Sequence, residues 1–182
     1  MVAIFRRRFA LPLAAIIVSS VVLSSCASSS MATDSQLSRV KAKLEGVYSL
    51  EEWHLAAGAA HPPQVDGRFV LLNGAVITVL HNRVQEANQT TVASYGSYTL
   101  DLNRLAYRYV DTSVYVQTAS AITVSRKLPW EGMRGFAVVS EGSAVRLRSD
   151  TGNQEFLFVG DRLSYSEIGR VQRVWKRVAE NQ

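Results

Sequence analysis

Cysteine is nearly absent from this sequence, and histidine and proline are scarce. Cys26 is the single cysteine among 182 residues, so the chain has no internal disulfide. The three histidines, His54, His61 and His81, do not stand at a spacing typical of a zinc or haem site. We therefore expect neither a metal ion nor another cofactor.

The sequence also lacks the short motifs of nucleophilic catalysis and phosphate binding. It contains no Gly-x-Ser-x-Gly, and no glycine-rich loop precedes a helical pattern. The formal net charge is +5, but setting aside the three arginines at positions 6–8 leaves 17 basic and 15 acidic residues, a net charge of +2. The other arginines are scattered singly along predicted strands, which excludes nucleic acid as a partner.

Residues 1–26 have the organisation of an N-terminal signal peptide. Arginines at 6–8 form a basic start, and residues 9–23 form an apolar stretch that is too short for a membrane-spanning helix. The closing tetrapeptide Leu23-Ser-Ser-Cys26 resembles the lipobox, whose cysteine carries acyl chains such as palmitate and becomes the mature N-terminus. The alternatives are an ordinary signal peptide ending in a free cysteine and an uncleaved anchor helix.

Lipidation of Cys26 implies attachment to a membrane, because each buried methylene contributes about 0.8 kcal/mol. Ala27 follows the cysteine, and by analogy with bacterial lipoproteins this favours the outer membrane, facing the periplasm. Residues 27–33 are rich in serine and alanine, which predicts a flexible tether. Residues 34–182 are then the single folded domain.

A short helix is predicted where this domain begins. Thr33 and Gln36 have the spacing of a capping box, with Thr33 as the N-cap. Leu37, Val40 and Leu44 follow at the spacing of one helix face, which indicates a helix of about ten residues. We expect it to pack on the domain; the alternative is a helix that binds a partner.

Short strands and turns dominate the rest of the chain. Asn73-Gly74 joins two apolar runs, residues 67–72 and 75–80, and tolerates the positive φ that a type I′ turn requires. Residues 115–124 are predicted as one strand, whereas residues 83–92 fit a solvated strand, a short helix or a loop. Turn signals about eight to twelve residues apart predict an antiparallel all-β sandwich or barrel.

Five short motifs together cover most of residues 44–178. In chain order they are Gly46-Val-Tyr48-Ser-Leu50, Gly67-Arg-Phe-Val-Leu-Leu-Asn-Gly74, Tyr95-Gly-Ser-Tyr98, Gly160-Asp-Arg-Leu163 and Val174-Trp175-Lys-Arg177. The five resemble motifs of bacterial lipocalin-like domains. The first is similar to the Gly-x-Trp-x-Leu opening of these domains, with Tyr48 in place of the tryptophan.

The resemblance implies an all-β fold, an antiparallel up-and-down lipocalin-like β-barrel with a short N-terminal helix. The first and last strands of such a barrel pair, and an aromatic side chain of the first stacks under a basic residue of the last. Here Tyr48, Trp175 and Arg177 would close the barrel in this way. The alternative is that Arg177 is a solvated charge near the C-terminus.

The resemblance further implies a small, mainly apolar ligand inside the barrel, held by aromatic walls with a few hydroxyl groups. Inward side chains of a small barrel fill its centre and line whatever cavity remains. For the tyrosines, a place in the core is the alternative. The candidate lining residues are Leu50, His54, Phe69, Tyr98, Tyr107, Tyr109 and Tyr165.

The sequence thus predicts a membrane-anchored bacterial lipoprotein that binds a small hydrophobic molecule. One alternative is a structural envelope lipoprotein with a filled barrel and a protein partner. The other is a small isomerase or hydrolase. In that case Tyr48, Leu50, Glu52 and His54 share one inward face of a strand, so that His54 and Glu52 can exchange a proton.

Overall fold

The computed structural model describes residues 22–127 and 131–179, with side chains from residue 32 onward. The predicted signal peptide up to residue 21 and the side chain of Cys26 lie outside this description. The chain divides into two compact units, Met1–Ser35 and Gln36–Gln182. No helix in the described ranges has the length and apolar content needed to span a bilayer.

The described part of the chain contains one helix followed by twelve strands. They are α1 (Val22–Leu44), β1 (Gly46–Leu55), β2 (Gly58–Ala60), β3 (Val65–Leu72), β4 (Ala75–Asn82), β5 (Asn88–Leu100), β6 (Arg104–Thr118), β7 (Ile122–Lys127), β8 (Arg134–Glu141), β9 (Ala144–Ser149), β10 (Gln154–Val159), β11 (Arg162–Glu167) and β12 (Arg170–Arg177).

Within the described ranges, ten strands close into an antiparallel barrel. Around the barrel, β1 is followed by β3, β4, β5, β6, β8, β9, β10, β11 and β12, and β12 pairs again with β1. Outside this circuit, β2 pairs antiparallel with the end of β1, and β7 pairs with β6. Closure leaves no free edge in the circuit. The predicted antiparallel up-and-down barrel is therefore confirmed.

The hairpin at Asn73-Gly74 is confirmed. Asn73 has a φ of 49° and Gly74 a φ of 80°, the two positive values of a type I′ turn. Leu72 pairs directly with Ala75, so the loop contains only these two residues.

One predicted strand differs from the structure. Residues 115–124 are not one strand, because the backbone turns at residues 118–121, where the Thr118 amide donates to the Ala121 carbonyl at 2.9 Å. The range therefore covers the end of β6 and the start of β7. Residues 83–92, for which the sequence left three alternatives, combine a turn at 83–87 with the start of β5 at Asn88.

The helix is longer than predicted. It begins by Val22, so Thr33 lies inside it and is not the N-cap, and residues 27–33 of the predicted tether belong to it as well. No glycine or proline stands between Val22 and Thr33 to end a helix. The domain boundaries themselves stay a prediction. In the unit that starts at Gln36, Val40 and Leu44 are buried in the barrel core.

A β-bulge in β1 changes which side chains face the barrel interior. Leu50 pairs with Trp175, but Glu52 pairs with Val174, so one extra residue is inserted between them. Beyond the bulge, Trp53 packs against the core and His54 is exposed. The inward face predicted for Tyr48, Leu50, Glu52 and His54 therefore ends at Leu50.

The barrel core fills one end of the interior. Aromatic and aliphatic side chains from five strands leave only a gap of about 10 Å³ there. Interiors of folded proteins are generally packed this closely, with few gaps larger than a water molecule. The residues around the gap are Phe69, Leu71, Val76, Leu105, Tyr107, Leu147, Phe156 and Phe158.

Candidate functional site

A second part of the barrel interior is hollow, with a cavity of about 350 Å³. Its lining combines apolar and aromatic side chains with hydroxyl groups and three cationic side chains. The lining residues are Phe69, Thr78, Leu80, Val92, Ser94, Tyr107, Tyr109, Thr112, Lys127, Arg134, Gln154, Phe156, Tyr165, Arg173 and Trp175.

Aromatic rings form the boundary between this cavity and the packed end. Phe69 stacks on Phe156 with centroids 6.1 Å apart and an interplanar angle of 20°. The ring centroid of Trp175 lies 6.0 Å from that of Phe69, and the ring centroid of Tyr165 lies 4.9 Å from that of Phe156. Because these residues come from β3, β10, β11 and β12, the wall depends on closure of the barrel. It offers apolar ring faces to a bound molecule.

Hydroxyl groups of β4, β5 and β6 line another side of the cavity. The Thr78 Oγ1 and the Tyr109 hydroxyl form a hydrogen bond of 2.5 Å, and Ser94 Oγ lies 2.9 Å from Thr112 Oγ1. Ser94 is 7% exposed. A buried hydroxyl costs free energy unless it is hydrogen-bonded, and these pairs satisfy one another.

The three cavity tyrosines keep neutral hydroxyl groups. Burial is the main cause that raises the pKa of Tyr107, Tyr109 and Tyr165 above the usual range of a phenol. Tyr107 also hydrogen-bonds with Arg134, and this contact acts in the opposite direction. At neutral pH the three side chains therefore add hydrogen-bonding groups and no negative charge.

Arg173 brings a positive charge into the cavity wall. Its guanidinium carbon lies 4.7 Å from the centre of the Trp53 ring and 5.5 Å from that of Tyr165, both cation–π distances. Its Nε is buried and has no hydrogen-bond partner among the described residues. Burial lowers the pKa of Arg173 below its ordinary value.

At the packed end, Arg177 joins the last strand to the first strand and to α1. Arg177 pairs with Tyr48 in the β1–β12 register, and its guanidinium carbon lies 5.2 Å from the centre of the Tyr48 ring. It donates to the Tyr48 hydroxyl at 2.7 Å and to the Ala42 carbonyl at 3.1 Å. Trp175, two residues earlier, is buried opposite Leu50. These contacts hold the barrel closed at this end.

The structure brings together only part of the predicted lining. Phe69, Tyr107, Tyr109 and Tyr165 line the cavity. Leu50 and Tyr98 are buried elsewhere, and the Tyr98 hydroxyl donates to the Glu45 carboxylate beyond the end of α1. His54 is exposed and also lies outside the cavity lining. Contact of any of these residues with a ligand stays a prediction.

His54 and Glu52 do lie close together, but on the outside of the barrel cavity. His54 Nε2 is 3.5 Å from Glu52 Oε1. Glu52 borders an open surface groove of about 720 Å³ along the β1–β12 seam, where Arg162 forms an ion pair with Glu51 at 3.2 Å. This groove is larger than the barrel cavity but shallow and charged. In the described ranges, no three His, Cys, Asp or Glu residues are grouped to hold a metal ion.

Sequence reasoning missed the polar half of the cavity. Arg173 lies two residues before Trp175, so the alternation of side chains along the last strand predicts that both face the barrel interior. Thr112 had no such signal. A bulge opposite Tyr95 and Gly96 inserts an extra residue in β6, so its inward side chains change from odd to even positions.

Comparison of the chain with protein-family models, with curated proteins and with solved structures gives no match.

Proposed function

We propose that this chain is a membrane-anchored bacterial lipoprotein whose barrel binds a small, largely apolar molecule non-covalently. The observation that supports ligand binding is the partly open barrel cavity of about 350 Å³, next to a packed end whose remaining gap is only about 10 Å³. Empty space in a core lowers stability. A barrel with a purely structural role gains nothing by leaving aromatic walls uncovered. The volume lies near the lower end of ligand pockets, which span roughly 300–1,000 Å³.

The cavity volume limits the size of the ligand. A water molecule occupies about 30 Å³ of liquid, so the space accepts roughly a dozen non-hydrogen atoms. The rings of Phe69, Phe156 and Trp175 would contact the apolar body. The hydroxyl groups of Thr78 and Thr112 would orient a polar end.

Filling the cavity is expected to abolish ligand binding. In Ser94→Phe the new ring occupies the space that the ligand needs. Ser97→Phe, on the exposed face of the same strand, is the matched control. Full-length protein is purified from a bacterial host and extracted with organic solvent, and mass spectrometry identifies the extracted compounds. We expect a near-equimolar compound from the wild type and Ser97→Phe, and none from Ser94→Phe.

Circular dichroism melting shows whether Ser94→Phe is folded; Leu80→Phe fills the same cavity and replaces it if it is not. A folded cavity-filling variant that retains the compound would contradict binding at this site. Wild-type protein with no compound at all would favour the alternative of a structural envelope lipoprotein with a protein partner.

The proposal of a lipid anchor depends on the predicted signal peptide, residues 1–26, and on its cysteine, Cys26. In a Gram-negative host grown with an alkyne analogue of palmitate, we expect the wild type to be labelled and to fractionate with the outer membrane. Cys26→Ser removes the thiol that accepts the acyl chain, so labelling should be lost completely. Ser25→Ala keeps a small residue beside the cysteine and should be labelled like the wild type. Labelling that survives Cys26→Ser would exclude this anchor.

A further inference from the structure

Several arginines on the outside of the barrel have carboxylate partners. Arg104 Nη2 lies 2.6 Å from Asp150 Oδ2, and Arg126 Nη2 lies 2.6 Å from Asp111 Oδ2. Arg146 forms an ion pair with Glu155. Exposed pairs of this kind add little stability, because water already solvates both charges.

Arg173 has the opposite arrangement. Its side chain is largely withdrawn from water, yet no carboxylate in the described ranges forms an ion pair with it. Removing a charge from water without a counter-ion is costly. The rings of Trp53 and Tyr165 offset part of this cost through cation–π contacts. The buried Nε still lacks an acceptor.

The other residues of the cavity lining do not include a negatively charged acceptor for Arg173. Lys127 and Arg134 add two further cations, and neither aspartate nor glutamate occurs among the lining residues. The Glu167 carboxylate also raises the pKa of Arg173, but its effect is smaller than the other causes that act on this pKa. Poorly solvated walls strengthen the attraction between these cations and an anion in the cavity.

We infer that the ligand carries an anionic group, a carboxylate or a phosphate monoester, which binds to the guanidinium of Arg173. This inference rests on the proposed function and adds a charged end to the predicted apolar ligand. The planar fork of arginine suits the two oxygens of either group. The ligand is thus an amphipathic anion, with its apolar body against the ring wall of Phe69 and Phe156.

Three probes with the same ten-carbon chain test the inference by isothermal titration calorimetry on full-length protein. Decan-1-ol is neutral, decanoate carries a carboxylate and decyl phosphate carries a phosphate monoester. They have about 11, 12 and 15 non-hydrogen atoms, close to the dozen or so that the cavity accepts. We expect the better of the two anions to bind about ten- to a hundredfold more tightly than decan-1-ol. The preferred anion identifies the head group.

Variants at position 173 localise the effect. Arg173→Met keeps a similar apolar stem but removes the charge, so it should abolish the preference for the anion and bind all three probes with similar affinity. Arg173→Lys keeps a charge without the fork and should retain part of the preference. Arg170→Met, at the exposed start of the same strand, should bind all three probes like the wild type.

The outcomes separate this inference from the proposed function. Equal affinity of the wild type for decan-1-ol and both anions would overturn the inference and leave ligand binding intact. An anion preference that persists in folded Arg173→Met would also overturn it. If no probe binds, the charge of the compound extracted from the wild type decides, and absence of any compound ends both proposals. If Arg173→Met does not fold, the wild-type comparison and Arg173→Lys still decide.

Discussion

Replacing Tyr48 by alanine is expected to lower the free energy of unfolding by about 3–5 kcal/mol. Tyr48 is 1% exposed, and its ring lies 5.9 Å from that of Phe158 and 6.3 Å from that of Phe69. Its hydroxyl donates to the Leu44 carbonyl at 2.9 Å and accepts from Arg177. The substitution therefore leaves a cavity in the core and removes the contact between β1, β12 and the end of α1.

Chemical denaturation of purified full-length protein measures this loss. Domains are usually stable by only about 5–15 kcal/mol, so Tyr48→Ala should be close to unfolding. Tyr48→Phe removes the hydroxyl alone and should cost about 1–3 kcal/mol, because a donor and an acceptor lose their partner. Tyr95→Ala is the control, since Tyr95 is 54% exposed, and should stay within about 0.5 kcal/mol of the wild type. Equal losses at Tyr48 and Tyr95 would contradict the role of Tyr48 in closing the barrel.

Replacing Gly96 by alanine is expected to cost about 3 kcal/mol or more, because the new methyl group has no room. A Cβ at this position would lie 1.8 Å from the Arg108 carbonyl oxygen and 2.8 Å from the Tyr109 Cα. Both are backbone atoms, so the β5–β6 pairing itself has to shift. Tyr109 and Thr112 belong to the cavity lining just beyond, so ligand affinity should fall as well.

Gly160→Ala is the matched control for this substitution. Gly160 has a φ of 60°, and a Cβ there meets nothing within 4 Å, so only the cost of a left-handed conformation applies, about 1–2 kcal/mol. Denaturation of both variants separates the two effects. A loss at Gly96 no larger than that at Gly160 would show that the bulge relaxes to accept a side chain.

Part of the cavity could be predicted from strand alternation. The two-residue alternation places four aromatic side chains on the inward faces of predicted strands, and all four line the cavity. They are Phe69, Tyr107, Tyr109 and Tyr165. Alternation failed for His54 because one inserted residue in β1 reverses the faces beyond it. The amino acids around such a bulge do not differ from those of a regular strand.

The sequence by itself determined the hairpin at Asn73-Gly74 and most of the antiparallel strands, and its local patterns fitted a sandwich as well as a barrel. These features depend on φ preferences and on a two-residue period, which neighbouring residues alone express. Only the tertiary structure decided what the strands enclose. Pairing of β12 with β1 brings Arg173 into one cavity with Tyr109 and Phe69, and no aspartate or glutamate of the described ranges belongs to that lining. Closure joins residues distant in the chain, and no local pattern records which of them will meet.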